Sequence, residues 1–274
     1  MNESTTWLSK SRVIALIFVA VLVVAGLVLF FARGSEDSPT AAPATHPDGE
    51  DSVQAEQWAG KTADRWGTMV YFPVDSRGQI LSERLTKRDP ADPSAQLIAP
   101  EGVVMQYTDV GSTGMPVPFS TTDGPTGFDG TLPTGFSQSG AGAGLAAAHW
   151  VATMWTEDTD VVDDYAAMAD GFSQKNIERR KRMARGETGG NLSDEMLSMP
   201  AAEAYKITAW DGDYARVTAY FRDHKDDVDF YLTYDMDLRY SNGQWIPLHS
   251  DTSTSGEAGI ARSLDPGAVR WALR

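Results

Sequence analysis

The amino-acid sequence predicts an α+β fold in which a single N-terminal transmembrane helix precedes a cone-type domain of helices packed on a curved four-stranded antiparallel sheet. Three observations predict this fold. An uncharged apolar segment lies near the N-terminus, residues 142–185 have helical periodicity, and residues 203–223 and 228–249 alternate between apolar and polar side chains. Helices followed by an antiparallel meander are typical of an α+β domain, and a sheet curved around the helices buries both apolar faces.

The composition excludes several classes of function. The chain has 274 residues, a formal net charge of −15 and no cysteine. Without cysteine there can be no disulfide, no thiolate catalysis and no cysteine-bound metal. Binding to nucleic-acid phosphates requires a basic surface that releases counterions, so we expect no nucleic-acid partner.

The first element is an apolar segment at residues 13–32, which contains no charged residue. A helix of this length spans the hydrocarbon core of a bilayer, which is about 30 Å thick. A cleaved signal peptide is the competing interpretation, but its apolar core is typically about 7–15 residues long. Lys10 and Arg12 precede the segment. The positive-inside rule therefore predicts a cell-membrane protein with a cytoplasmic N-terminus and an extracytoplasmic C-terminal domain.

The rest of the chain divides by composition. The predicted divisions are a cytoplasmic tail at 1–12, the transmembrane helix at 13–32, a disordered acidic and Pro-rich tether at 33–57, an irregular β-containing strap region at 58–137, the α+β domain at 138–260 and a C-terminal tail at 261–274. Within the strap region, residues 67–73 and 102–109 are predicted strands. Residues 111–137 are rich in proline and glycine, and we expect them to pack over the core as an ordered strap.

Two long helices and four strands make up the predicted α+β domain. The first helix starts near Gly142, and the second runs from about 161 to 185. The apolar stripe of the second helix consists of Val161, Tyr165, Met168 and Phe172. A further short helix is predicted near 193–198. Asn242-Gly243 indicates a tight hairpin between the last two strands.

A glycine pattern at the start of the first helix resembles a nucleotide-binding fingerprint. Gly142, Gly144 and Ala147 have the spacing G-x-G-x-x-A, which can place a pyrophosphate at a helix N-terminus. Such a fingerprint needs a strand directly before it and a parallel strand after the helix. Turn-forming residues precede the glycines and another helix follows, so we predict no cofactor. We expect Ser137 or Ser139 to cap the helix and the small residues to allow close packing.

A basic run is the most distinctive charge pattern in this acidic chain. It contains the basic residues Lys175, Arg179, Arg180, Lys181, Arg182 and Arg185. One interpretation is a solvated helix end, whose cations suit the negative end of the helix dipole. The other is a protein-interaction surface for an acidic partner, such as the segment 223–229 of a neighbouring copy.

Two histidines provide an alternative site. His149 lies on the first predicted helix, and His249 lies two residues before Asp251. A histidine near a carboxylate is the arrangement of a general base, but it is also common for buried structural histidines. We therefore predict no catalytic residue and no metal site. His149, His249 and Asp251 remain candidates for lining a ligand pocket.

A motif between residues 116 and 147 resembles a known family. The matching residues are Pro116, Pro118, Phe119, Ser120, Asp123, Gly124, Pro125, Gly135, Phe136, Gly140, Ala141, Ala146 and Ala147. They resemble a family of actinobacterial membrane-anchored proteins with the pattern V-P-L-P-F-S-x-T-D-G-P, then G-[FY] and G-A-x-x-A-A. Gly142 and Gly144 depart from that pattern. The resemblance implies no catalytic residue.

The layout of the whole chain is similar to that of a second, broader group. A short tail, one membrane span, a tether, helices and a four-stranded meander resemble the inner-membrane assembly proteins of type IV secretion and conjugation systems. Their periplasmic domains have a nuclear-transport-factor-like fold. This resemblance implies a non-enzymatic scaffold that forms homo-oligomers and binds other envelope or secretion components. The alternative is an extracytoplasmic small-molecule-binding protein, or an isomerase-like or dehydratase-like protein, with the same cone fold.

Overall fold

A computed structural model describes residues 58–64, 66–110, 113–187, 201–225, 228–249 and 256–273. This part of the chain is mostly β, with 42% strand and 21% helix. The predicted α+β cone on one four-stranded sheet is therefore wrong, because strands also build the predicted strap region and C-terminal tail. Among the described residues, no helix is long and apolar enough to span a membrane. The predicted tail, transmembrane helix and tether at 1–57 lie outside these residues.

Four strands form the first sheet and are arranged in their order along the chain. They are β1 (Trp58–Ala63), β2 (Met69–Pro73), β3 (Val104–Val110) and β4 (Thr113–Phe119). β2 and β3 pair in parallel, and the other neighbours are antiparallel. The strands predicted at 67–73 and 102–109 correspond to β2 and β3 and are confirmed.

The prolines of β4 explain why this region has an irregular sequence pattern. Pro116 and Pro118 lie within the strand, opposite Tyr107 and Met105 of β3. A proline nitrogen cannot donate a hydrogen bond to a neighbouring strand. β4 tolerates this because it is an edge strand of the sheet. A sequence with two prolines therefore forms a regular strand here.

Three helices follow a small hairpin. The hairpin consists of β5 (Gly127–Asp129) and β6 (Leu132–Thr134), and the helices are α1 (Gly140–Met154), α2 (Thr159–Met168) and α3 (Gln174–Ala184). The single helix predicted at about 161–185 is therefore wrong. The chain breaks between α2 and α3, where Gly171 has a φ of +76° that favours glycine. The short helix predicted near 193–198 lies outside the described residues.

Six strands form the second sheet. They are β7 (Ala202–Trp210), β8 (Tyr214–Lys225), β9 (Val228–Ser241), β10 (Gln244–Pro247), β11 (Glu257–Ala261) and β12 (Val269–Arg270). The order is β10-β9-β8-β7-β12, and β11 pairs with β9 beside β10. The predicted meander corresponds to β7–β10 and is confirmed, including the hairpin at Asn242 and Gly243, whose φ angles are both positive. β11 and β12 were not predicted.

The C-terminal segment covers part of one face of the second sheet. Tyr220 and Tyr231 are buried against Leu264 and Ala268. Asp237 is only 3% exposed and accepts hydrogen bonds from the Tyr214 hydroxyl and from Arg216 Nε. The chain folds back over this face between β11 and β12.

α1 is the centre of the hydrophobic core. Residues 140–153 are buried, and the helix contacts strands of both sheets. Val70 and Met105 of the first sheet belong to the same buried cluster as Trp150 and Leu238. The region before residue 110 therefore shares one core with the helices and the second sheet.

The glycines of α1 allow neighbouring parts of the chain to pack closely against the helix. A β-carbon at Gly142 would lie 2.0 Å from the Ser137 carbonyl oxygen. A β-carbon at Gly144 would lie 2.5 Å from the ring of Tyr205. Both distances are too short for any side chain, so only glycine fits without movement. Ser139 caps the helix by accepting a hydrogen bond from the Gly142 amide at 3.1 Å, which confirms one of the two predicted caps.

Candidate interaction surface

α3 lies on the surface of the domain and carries the basic run. The hydroxyl of Ser173 caps its N-terminus by accepting a hydrogen bond from the Asn176 amide. None of the helix residues is buried, and the helix packs mainly against α2. Lys181 and Arg182 lie in its last turn, where cations suit the negative end of the helix dipole. Much of this helix is therefore accessible to another molecule.

Two cations of the run pair within the chain. Lys181 Nζ lies 2.6 Å from Asp163 Oδ1 on α2. Arg185 Nε lies 2.6 Å from Glu187 Oε1, just beyond the helix. All four side chains are partly exposed to solvent, so each pair contributes little to stability. These two cations are neutralised locally.

Three other cations form a line along the exposed side of α3. Lys175, Arg179 and Arg182 have the spacing i, i+4, i+7, which places them on one face of the helix. All three are exposed, and none has an acidic partner within ion-pairing distance among the described residues. This basic stripe concentrates three unpaired positive charges on a chain whose net charge is −15.

Arg180 lies off the basic stripe, in a less exposed position. Its Nη2 atom is buried and has no hydrogen-bond partner. Its Nη1 atom lies 3.6 Å from Met183 Sδ, which is a weak acceptor. Burial lowers the pKa of Arg180 to about 10, so the guanidinium remains charged at neutral pH. The structure thus separates Arg180 from the neighbours with which the sequence groups it.

A tyrosine that feels the charge of Arg180 contacts a histidine. The Tyr165 hydroxyl on α2 is 2.8 Å from His249 Nε2, and the ring of Phe172 lies 4.7 Å from the imidazole. Burial lowers the pKa of His249 to about 4. Burial raises the pKa of Tyr165 well above its usual range, while the positive charge of Arg180 acts in the opposite direction. Both groups are therefore neutral at pH 7.

The family of the chain follows from a match that includes all of these residues. A family model described as a domain of unknown function, DUF8175, matches residues 71–265, from β2 to just beyond β11. The match covers more than half of the chain. The chain belongs to this family. No curated protein and no solved structure matches it.

The DUF8175 domain places the two histidines of the predicted alternative pocket in separate surroundings. His149 is buried, with its Nε2 atom 2.9 Å from the Pro118 carbonyl oxygen and its ring against Phe119 and Phe136. Burial lowers the pKa of His149 to about 4. His249 instead lies beside α2, as described above. Asp251 lies outside the described residues.

Two surface clefts in the described part of the chain are lined by other residues. One cleft, of about 240 Å³, includes Trp66, Arg222 and Arg270 in its lining. The other, of about 360 Å³, includes Asp129 and Asp164. Neither histidine lines either cleft. In the described part of the chain, no group of three or more His, Asp or Glu side chains is placed to hold a metal ion.

The family motif contributes a buried polar cluster that the sequence did not predict. Asp123 forms an ion pair with Arg88 and accepts hydrogen bonds from the hydroxyls of Ser137 and Ser139, at 2.7 Å and 3.3 Å. The hydroxyl of Tyr205 is buried nearby without a partner. Asp123 belongs to the quoted motif, but nothing in the sequence marks Arg88 as its partner. Because protein encloses this cluster, we assign it the structural role of holding the strap to the start of α1.

Proposed function

We propose that this chain is a single-pass membrane protein whose extracytoplasmic DUF8175 domain is a non-enzymatic assembly module. Residues 13–32 anchor it with the N-terminus in the cytoplasm, and the acidic tether separates the domain from the membrane surface. The domain binds an acidic partner through the basic stripe of Lys175, Arg179 and Arg182.

The observation that carries this proposal is the unpaired state of the basic stripe. The other cations Lys181 and Arg185 form ion pairs with acidic side chains of the same chain. Arg182 is near enough to Glu187 to help lower the pKa of that carboxyl. No acidic side chain among the described residues lies within ion-pairing distance of the stripe, although the whole chain has 38 acidic and 23 basic residues. Exposed opposite charges attract an acidic surface and orient it, and they set the association rate more than the affinity.

The partner that we propose is a second copy of this chain. Each copy is strongly acidic, so each presents acidic surface to the basic stripe of a neighbour. Anchoring in one membrane raises the effective concentration of the copies. A contact between a basic helix and a different, acidic surface is head-to-tail, and such contacts build rings or filaments. An assembly subunit of an envelope apparatus needs this kind of contact.

A conjugation or type IV secretion-like apparatus is the specific machine that we propose for this subunit. The short N-terminal tail, the single apolar segment and the tether support it, because they resemble the layout of the assembly proteins of those systems. The cone fold gives no support, because the described residues form a four-stranded and a six-stranded sheet instead of one four-stranded sheet. Other envelope components of such an apparatus are the further partners that we expect.

The test is charge reversal of the basic stripe in the full-length protein. A photoreactive residue at the exposed position Glu178 captures neighbours in native membranes, and mass spectrometry identifies the linked peptides. We expect Arg179→Glu combined with Arg182→Glu to lower the yield of linked copies at least fivefold. The matched control is Arg84→Glu with Lys87→Glu, which changes the net charge equally at two exposed positions outside α3.

The outcomes separate the possible occupants of this surface. Linked copies that disappear only in the α3 variant support the proposal. Equal yields in both variants would show that the stripe is a solvated helix end. Links to lipid, or links only to another protein, would replace the second copy with that partner.

A further inference from the structure

The basic stripe of Lys175, Arg179 and Arg182 forms an open face of α3. All three side chains are exposed, and among the described residues no acidic side chain lies within ion-pairing distance of them. The first and the last of the three are seven residues apart, which is about 10 Å along a helix. A ligand that matches the stripe therefore presents several negative charges over about 10 Å of its own length.

The acidic segment 223–229, which the sequence suggests as a partner, is already engaged by its own chain. Asp229 accepts a hydrogen bond from Arg222, and His224 Nδ1 lies 2.7 Å from the same carboxylate. These contacts lower the pKa of Asp229. An ion pair with the stripe of another copy would have to replace them, so this segment fits the stripe poorly.

A second acidic segment, residues 157–164 at the start of α2, is engaged in a similar way. Asp158 caps the helix by accepting a hydrogen bond from the Asp160 amide at 2.8 Å. Asp163 forms its ion pair with Lys181 at 2.6 Å. Both acidic segments of the folded domain are therefore available to a partner only in competition with contacts that they already make.

The tether differs from both segments in composition. Residues 34–57 contain six acidic side chains and neither lysine nor arginine. Three of the acids, Asp48, Glu50 and Asp51, lie within four consecutive residues. An extended chain advances about 3.3–3.6 Å per residue, so residues 48–51 cover about 10 Å in that form. Three carboxylates thus match three cations in charge and in length.

We propose that residues 48–51 in the tether of a neighbouring copy bind the basic stripe. The inference rests on the proposed function, and it names the part of the second copy that supplies the acidic side chains. Each copy then binds one neighbour through its stripe and another through its tether. A contact of this kind is head-to-tail, so it extends from copy to copy.

The packing of the domain favours a neighbouring copy over the same chain as the source of the tether. The tether ends at β1, which packs mainly on β2, whereas the stripe lies on α3, which packs mainly on α2. These contacts do not place the tether beside the stripe of its own domain. Copies anchored in one membrane meet at a high effective concentration, which favours a contact between chains.

The first arm of the test joins the two segments without a spacer. A carbodiimide links a carboxylate directly to an amine that touches it, and Lys175 supplies the amine on the stripe. Ordinary and ¹⁵N-labelled full-length chains are mixed in liposomes, and mass spectrometry maps the linked peptides. We expect links from Lys175 to residues 48–51 that join an ordinary peptide to a labelled one. The exposed Lys87, outside α3, is the control and should give no such link.

The second arm removes negative charges from the tether. Glu50→Gln with Asp51→Asn should lower the yield of linked copies from the photoreactive residue at position 178 at least threefold. The matched control is Glu36→Gln with Asp37→Asn, which removes the same Glu-Asp pair from the other end of the tether. That pair follows the apolar segment within five residues, so it stays within about 18 Å of the membrane. The control should leave the yield unchanged.

Charge exchange distinguishes a direct contact from a structural effect. Under the proposed function, Arg179→Glu with Arg182→Glu lowers the yield of linked copies. Adding Glu50→Lys and Asp51→Lys to the same chain should restore at least half of the yield of the unmodified chain, because opposite charges face each other again.

The results separate this inference from the proposed function. Mixed-isotope links to residues 48–51, with a loss in the Glu50 and Asp51 variant and recovery on charge exchange, support the inference. Links only within one chain, links from Lys175 only to the folded domain, or equal yields in the variant and its control would overturn it. If stripe reversal still lowers the yield in those cases, the proposed function stands without the tether. If stripe reversal has no effect, the proposed function itself fails.

Discussion

Arg88 and Asp123 form an ion pair beside the N-terminus of α1, with side chains that are only 7% and 0% exposed. Hydrogen bonds of 2.7 Å from the hydroxyls of Ser137 and Thr122 complete the surroundings of the carboxylate. The pair connects the segment before β3, the turn after β4 and the start of α1. Three parts of the chain that are distant in sequence therefore depend on one buried charge pair.

Removing Arg88 should destabilise the domain strongly. In Arg88→Met the Asp123 carboxylate stays buried without its cation, which costs about 3–5 kcal/mol of the free energy of unfolding. Urea unfolding of the full-length chain in detergent, followed by tryptophan fluorescence, measures this cost. Arg88→Met combined with Asp123→Asn removes both charges and should recover part of the loss. A loss below about 1 kcal/mol in the single variant would contradict a buried pair.

Gly144→Ala should also destabilise the domain, although alanine favours helices. The added methyl group would lie 2.5 Å from the Tyr205 ring, and such overpacking costs about 1–3 kcal/mol. The gain in helix propensity, about 1 kcal/mol, offsets only part of it. Gly60→Ala is the control, because its new methyl group meets Phe72 at an ordinary 3.6 Å. If Gly144→Ala proved more stable than the parent, close packing would not explain this glycine.

His149 should make stability depend on pH. Its pKa falls from 6.5 to about 4 on folding because the ring is buried, so the unfolded chain binds the proton more tightly. Stability from this group is therefore complete above about pH 6.5 and decreases as the pH falls towards 4. Between pH 7 and pH 5 the loss is about 2 kcal/mol.

His149→Gln isolates this effect, because glutamine keeps a donor for the Pro118 carbonyl but has no titratable group. We expect the difference in unfolding free energy between the parent and this variant to change by about 2 kcal/mol between pH 7 and pH 5. Urea unfolding at the two pH values measures it. Identical pH dependence of the two proteins would show that His149 is accessible to protons in the folded state.

The second sheet could largely be predicted from sequence because its pattern is local. Apolar and polar residues alternate along β7–β10, and this alternation predicts the strands. The Asn242-Gly243 turn predicts the pairing of the last two. β11 could not be predicted in this way, because its residues are nearly all exposed and no alternation marks it. Its position depends on pairing with β9. In the first sheet β2 and β3 were predicted, whereas β4 was obscured by prolines that its edge position permits.

The candidate interaction surface could be predicted in part from the sequence. The spacing of Lys175, Arg179 and Arg182 already places them on one helix face. The inward position of Arg180 depends on how α3 packs on α2, which no local pattern encodes. The contact of Tyr165 with His249 joins residues 84 positions apart. Such contacts follow from the tertiary fold and not from periodicity.

Trp271 fixes the C-terminal segment to the domain, and we expect substitution of Trp271 to lower the free energy of unfolding. Its ring stacks on Tyr205 with centroids 5.0 Å apart, and its Nε1 donates a hydrogen bond to the Ala202 carbonyl at 2.6 Å. The next residue, Ala272, accepts a hydrogen bond from the Val103 amide at 3.1 Å. β7 of the second sheet and the residue directly before β3 therefore contact this segment.

Trp271→Ala should lower the free energy of unfolding by about 3–5 kcal/mol, because a large buried side chain is lost. Trp271→Phe keeps a ring beside Tyr205 and should lose about 1–3 kcal/mol, since the Ala202 carbonyl loses its partner. Leu273→Ala, at a half-exposed position, is the control and should change stability by less than about 0.5 kcal/mol. Urea unfolding of the three full-length variants provides the values. If Trp271→Ala matched the Leu273→Ala control, the C-terminal segment would not be part of the folded core, and the burial of Tyr205 would need another explanation.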